Sequence, residues 1–189
     1  MPIFNQAHDT PLDGTQFDKL FKDGEEYMIG KLAMKVMWVP GHTPACTAHV
    51  CAKEAIAFVG DTIFNPAMGN ARCDFPGGSA RTLFESARKL LALPEETVLL
   101  VGHDYPEEGE PVCTGVTVKQ HKDKNCTLNV RVTQEEFVAA NSEKLPVPRL
   151  LLPSLQANIR AGSFGAPESN GKQYIKLPIN CSAKELGRC

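Results

Sequence analysis

A mixed α/β fold, with helices layered on a sheet, is what this sequence predicts. Short apolar runs of strand length recur at Met34–Val39, Cys46–Cys51, Ala55–Val59 and Thr97–Val101, bounded by turn residues. An amphipathic segment from Ser79 to Leu93 lies between the third run and the fourth. Strand and helix signals therefore alternate instead of segregating, which is the pattern of sheet-on-helix layers.

Residues 1–16 are polar and carry Pro2, Pro11 and Gly14, so they read as a loop. Phe17, Leu20 and Phe21 give a short apolar patch before a turn at Asp23-Gly24. Glu25–Ile29, a turn at Gly30-Lys31 and Ala33–Val39 read as a β-hairpin. Apolar residues at both parities of Met34–Val39 predict a strand covered on both faces. Between Asp61 and Ser79 lies a long glycine- and proline-rich loop, of a length more often functional than idle. Ser79 is the expected N-cap of a helix stopped by Pro94. Its Leu83, Phe84, Ala87, Leu90 and Leu91 share one face, with Arg81, Glu85 and Lys89 on the other. After the strand at Thr97–Val101, residues 109–115 read as irregular and Val116–Lys124 as helical. Thr133 and Glu136 form a capping box for a helix of about ten residues from Gln134. The tail from Leu145 is proline-rich and ends in an expected strand, Tyr174–Leu177. With no repeat or low-complexity tract, residues 1–189 read as a single domain.

Composition excludes several functions. The net charge of −2 comes from 20 basic and 22 acidic residues without a long run of either sign, which gives no nucleic-acid footprint. No apolar stretch approaches a membrane span, and Met1–Thr10 lacks signal-peptide character. The expected compartment is the cytoplasm, or the mitochondrion if a targeting segment precedes the chain. Seven scattered cysteines without a Cys-x-x-Cys pair argue against a disulfide framework and a structural zinc site, leaving them as packing thiols.

The chemistry concentrates where three apolar runs end. Each delivers a metal-type side chain behind a glycine: Gly41-His42, Gly60-Asp61 and Gly102-His103. Two imidazoles and a carboxylate suit iron(II), leaving positions open to oxygen and a thiolate, or zinc, which would activate a water. In the long loop, Arg72 either grips a substrate carboxylate or pairs with Asp74 to stiffen the loop. Tyr105 is placed to donate to substrate, and Asp104 to orient a ligand histidine. His49, in mid-strand, reads as structural, while His8 and His121 read as exposed.

At these residues the chain resembles the metallo-β-lactamase superfamily, most closely its persulfide dioxygenase branch with the β-lactamase-hydrolase-like proteins. The motifs are Pro40-Gly41-His42-Thr43-Pro44-Ala45-Cys46, Phe58-Val59-Gly60-Asp61-Thr62-Ile63-Phe64, residues 71–78 around Arg72, Gly102-His103-Asp104-Tyr105, and a tail motif over residues 152–162. The resemblance implies an αββα sandwich and one iron(II) per chain, with zinc as the alternative metal. It implies oxygen-dependent oxidation of glutathione persulfide to sulfite and glutathione. It makes His42 and Asp61 iron ligands, His103 the superfamily's second-metal position, Arg72 a glutathione-pocket residue with Asp74 in the same loop, and Asp104 and Tyr105 near-site support. The family's upstream Thr-His-x-His-x-Asp-His motif does not occur here. The chain therefore reads as an N-terminally incomplete sandwich with impaired activity, an uncovered sheet edge and a tendency to form a homodimer. A zinc metallohydrolase of glyoxalase II or lactamase type, and a non-catalytic interaction module, are the alternatives.

Overall fold

The computed structural model describes residues 14, 15, 17–146, 148, 150, 151, 154, 158, 162 and 166–174. The chain divides into two compact units, residues 21–145 and residues 1–20 with 146–189. In the second, turns close through the Phe17 N–H on the Gly14 carbonyl (3.1 Å) and the Gly171 N–H on the Glu168 carbonyl (2.8 Å). The expected strand at Tyr174–Leu177, the tail motif, His8, Cys181 and Cys189 lie wholly or largely outside the described residues.

Residues 21–145 hold the sheet and the helices. The elements run β1 (Glu26–Ile29), β2 (Leu32–Trp38), β3 (Thr47–Cys51), β4 (Ile56–Gly60), α1 (Ala80–Leu91), β5 (Val98–Val101), β6 (Gly115–Thr117), α2 (Val118–Lys124) and α3 (Gln134–Ala140). The strands lie in sequence order in one sheet. Successive pairs are antiparallel except β4 and β5, which run parallel across the α1 connection. This is the mixed α/β architecture expected from the alternating patterns.

Register decides which residues share a face. Val50, Ala57, Leu99 and Val116 align across four strands. Val50, Ala57 and Leu99 join Leu83, Phe84, Ala87 and Leu90 of α1, with Leu128 and Phe137, in one apolar core. Each such Leu or Phe contributes roughly 1.5–3 kcal/mol by leaving water. The opposite face aligns Val36, His49, Phe58 and Leu100. Phe58 there is 46% exposed, and Trp38 on the same strand set 48%. His49 is structural, its Nδ1 hydrogen-bonded to the Tyr27 hydroxyl at 3.0 Å.

Ser79 caps α1 as expected: its hydroxyl accepts from the Thr82 N–H, and the helix stops before Pro94. Ser86, on the buried face, donates to the Pro40 carbonyl at 2.6 Å and ties α1 to the loop before His42. The capping box at Thr133 and Glu136 starts α3, which runs for 7 residues, shorter than its pattern suggested.

Three expectations are corrected. β2 alternates from Ala33 to Val36, with Met34 and Val36 buried and Ala33 and Lys35 exposed. In an antiparallel neighbourhood the period-2 pleat prevails over an apolar composition at both parities. β6 was hidden inside a segment that looked irregular and then helical. It forms by pairing with β5, and the helix begins only at Val118, where Thr117 and Gln120 make a second capping box. His121 is fully buried, not exposed, because α2 turns it inward among polar neighbours that looked like a surface sequence.

Candidate functional site

Two parallel strands end side by side and carry Asp61 and His103. A register shift between Phe58 and Gly60 interrupts the β4–β5 ladder just before Asp61, and bulges of this kind re-aim side chains at functional edges. Gly60 takes φ +52°, and the Gly102 N–H continues the pairing by donating to the Gly60 carbonyl at 3.0 Å. His42 arrives from the loop after β2. Gly41 there takes φ +138°, and a Cβ on it would lie 2.3 Å from the Leu83 Cα, so only glycine lets this loop rest on α1. The Ser79 N–H donates to the Gly41 carbonyl at 2.9 Å and closes the contact.

The three side chains meet at one carboxylate. His42 Nε2 is 3.5 Å from Asp61 Oδ2, and His103 Nε2 is 3.5 Å from Asp61 Oδ1. The His42 Nδ1–H donates to the Arg72 carbonyl at 2.6 Å, which leaves the Nε2 lone pair of a neutral ring turned to the carboxylate. A lone pair facing a carboxylate oxygen is repulsive unless a cation or proton lies between them. Two donors bound tetrahedrally to one zinc-sized ion are about 3.4 Å apart, so each His–Asp pair has the right span. The two pairs use different carboxylate oxygens. No group of three or more His, Cys, Asp or Glu among the described residues is gathered tightly enough, as it stands, to hold one metal ion. His42 and His103 therefore form two separate pairs on Asp61, each made of donor types that divalent metals accept.

The other expected residues surround this centre. Arg72 forks onto Asp74, Nε to Oδ1 and Nη2 to Oδ2, both at 2.7 Å, and lies 4.5 Å over the Phe75 ring. Arg72 Nη2 also donates to the Leu145 carbonyl, and the Leu145 N–H donates back to Asp74 Oδ2. Of the two roles open to Arg72, the structure displays the pairing with Asp74. That fork, chiefly the Arg72 hydrogen bonds, pulls the Asp74 carboxyl down to about 2. Burial pushes the neighbouring Cys73 thiol up, and the Asp74 charge adds to it. Phe75 meets the His42 ring edge-on at 5.2 Å.

Asp104 does not orient a histidine. Its Oδ1 accepts from the Asn65 side chain and its Oδ2 from the Cys113 N–H, so it staples the two loops beside His103. Tyr105 stacks on His103 at 5.8 Å and is 62% exposed. It borders a cleft of about 740 Å³ lined by Met68, Asp104, Tyr105, Pro106, Glu107 and Pro111 among others. Phe64, the last residue of the Gly60-Asp61 motif, meets the His103 ring edge-on at 6.2 Å; Asn65, which donates to Asp104, went unmarked in the sequence, where only its place directly after that motif could have signalled it. The described cysteines are all free, and no helix among the described residues is long and apolar enough to cross a membrane.

Residues 8–103 match the family model of the metallo-beta-lactamase superfamily. The chain is 46% identical to glyoxylase B2 of Dictyostelium discoideum over 94% of its own length and 62% of that relative. It is 34% identical to the human protein named persulfide dioxygenase ETHE1, mitochondrial, over 80% of the chain and 57% of the relative. It therefore spans about three fifths of the length of these relatives. The crystal structure of ETHE1 from Myxococcus xanthus superposes with a TM-score of 0.67 at 31% identity, covering 76% of this chain and 60% of that one.

Proposed function

Because the chain belongs to the metallo-β-lactamase superfamily, we propose that it carries the metal-binding edge of a persulfide dioxygenase-type site. The observation that supports this is the meeting of His42 and His103 on the two oxygens of Asp61. On this reading His42 and Asp61 hold one iron(II), with His103 beside them. Iron(II) there would supply the redox chemistry that lets oxygen attack a persulfide sulfur. Glutathione persulfide, or a similar thiol-borne persulfide, would be consumed with one O2 and one water, its outer sulfur leaving as sulfite with two protons while the carrier is released as the thiol. The Arg72 carbonyl fixes the tautomer of His42, and the Arg72–Asp74 fork holds that carbonyl in place. Tyr105, exposed over His103, offers its hydroxyl to the substrate, and the cleft beside it has room for the carrier thiol. Cytoplasmic or mitochondrial residence and a homodimer are parts of the same proposal.

The test is metal content after anaerobic exposure to iron(II), followed by oxygen uptake and sulfite release with glutathione persulfide. About one iron per chain, with turnover lost in His42→Ala and Asp61→Ala, is the expected result. Turnover indifferent to both substitutions would overturn the ligand assignment.

One observation favours a second reading. Asp61 turns a different oxygen to each histidine, as a carboxylate bridging two ions does, and a 46% identical relative is named a glyoxylase. A zinc-loaded hydrolase would hold two ions, hydrolyse a thioester and consume no oxygen.

A further inference from the structure

The three glycines that precede His42, Asp61 and His103 look alike in sequence and differ in cause. Gly41 and Gly60 both lie in the left-handed region of φ. Gly102 does not, so its backbone is open to any residue. What excludes a side chain at Gly102 is the carboxylate next to it. A Cβ there would stand 2.6 Å from Asp61 Oδ1, well inside the roughly 3.5 Å at which non-bonded heavy atoms pack comfortably. It would also lie 3.3 Å from the Gly60 carbonyl carbon.

We infer that Gly102 is a positioning residue: its bare Cα is the cradle that lets Asp61 aim one oxygen at His103 while the other faces His42. The backbone cannot relieve an added methyl, because the Gly102 N–H is tied to the Gly60 carbonyl at 3.0 Å and Val101 pairs with Gly60. The carboxylate must turn instead. Turning it away from Gly102 carries Oδ1 off His103 and, since both oxygens move together, Oδ2 off His42. One methyl group therefore disarranges both His–Asp pairs while touching neither histidine. This deepens the proposed metal site and rests on it for the metal arm of the test only.

The variant is Gly102→Ala in the full 189-residue chain. Its metal-free crystal structure is expected to show Asp61 Oδ1 moved beyond ion-pair range of His103, about 4 Å, within an unchanged sheet. Its affinity for iron(II) or zinc, read by chelator competition, is expected to fall tenfold to 100-fold, the range for groups that orient a metal ligand. A carboxylate that stays in place, or an affinity equal to that of the unmodified chain, overturns the inference. If Gly102→Ala does not fold, the double variant Gly102→Ala/Asp61→Ala decides. Recovery of folding traces the clash to the carboxylate and supports the inference, whereas no recovery assigns Gly102 a backbone role and overturns it. An unmodified chain that binds no metal ends the functional reading, and the position of the Asp61 carboxylate still decides on Gly102.

Discussion

His42 and His103 face the same carboxylate at the same 3.5 Å, yet they are held by very different amounts of structure. The His42 side chain is 13% exposed, hydrogen-bonded to the Arg72 carbonyl and met edge-on by Phe75, on a loop packed directly against α1. The His103 side chain is 53% exposed and touches Phe64 and Tyr105 by ring contacts. A hydrogen bond to a fixed carbonyl sets a ring's orientation more tightly than ring contacts do, and among the described residues His42 has that bond while His103 has ring contacts. The His42 arm is preformed; the His103 arm is adjustable. A centre with one rigid and one adjustable imidazole can keep its ion while the second position changes with what is bound.

The largest test of that contrast is Gly41→Ala. The new Cβ would meet Leu83 Cα and N at 2.3 and 2.4 Å, backbone atoms of a helix that cannot yield, at a φ that side chains avoid. A loss of about 3 kcal/mol is expected in urea denaturation, the upper end for an overpacked site. A loss below about 1 kcal/mol would show that the loop is soft and that the contrast fails.

Acid should loosen the rigid arm next. The loop after Asp61 is tied at its Gly69 carbonyl by the Asn125 side chain, which also contacts His121 Nδ1 at 3.3 Å. His121 is fully buried, its Nε2 has no partner among the described residues, and burial lowers its pKa from 6.5 to about 4. A depressed imidazole pKa means that the unfolded chain binds the proton first. Stability is therefore complete above pH 6.5 and falls as the pH drops toward 4, by up to about 3 kcal/mol. Urea midpoints across that window check it, and His121→Phe should flatten the profile.

Metal affinity should separate the two arms directly. His42→Ala is expected to weaken iron(II) or zinc binding more than about 100-fold, and His103→Ala about tenfold, set against the 10–100-fold typical of supporting groups. Equal losses would mean that both imidazoles carry the ion alike.

The sequence showed the rigid arm better than the adjustable one. The strands, α1 with its Ser79 cap and the convergence of His42, Asp61 and His103 on one sheet edge were readable, because apolar periodicity and glycine punctuation are local signals. What stayed hidden depends on partners distant in the chain. β6 exists only by pairing with β5, His121 is buried by what packs on α2, and Asp104 turns to Asn65 and Cys113, not to a histidine. The reason for Gly102 was equally invisible, since it lies in the Asp61 side chain and not in its own φ.

The smallest effect decides what Arg72 is for. Asp74 accepts two hydrogen bonds from Arg72 and one from the Leu145 N–H, and its pKa is lowered to about 2, first by the Arg72 hydrogen bonds. A depressed carboxylate stabilises the fold above its ordinary pKa of 3.8, and that contribution disappears as the pH falls from there to 2. With the two side chains 18% and 11% exposed, water screens part of the interaction, and about 1–2 kcal/mol is the expected size. Asp74→Asn at neutral pH should cost about that much and abolish the stability loss between pH 4 and 2. It should also weaken metal binding slightly, because the Arg72 carbonyl that fixes His42 moves with the fork. If Asp74→Asn instead leaves the urea midpoint unchanged and tightens binding of a carboxylate-bearing thiol, the fork has no structural value. Arg72 then belongs to the substrate, and the rigidity of the His42 arm must come from Gly41 and Phe75 alone.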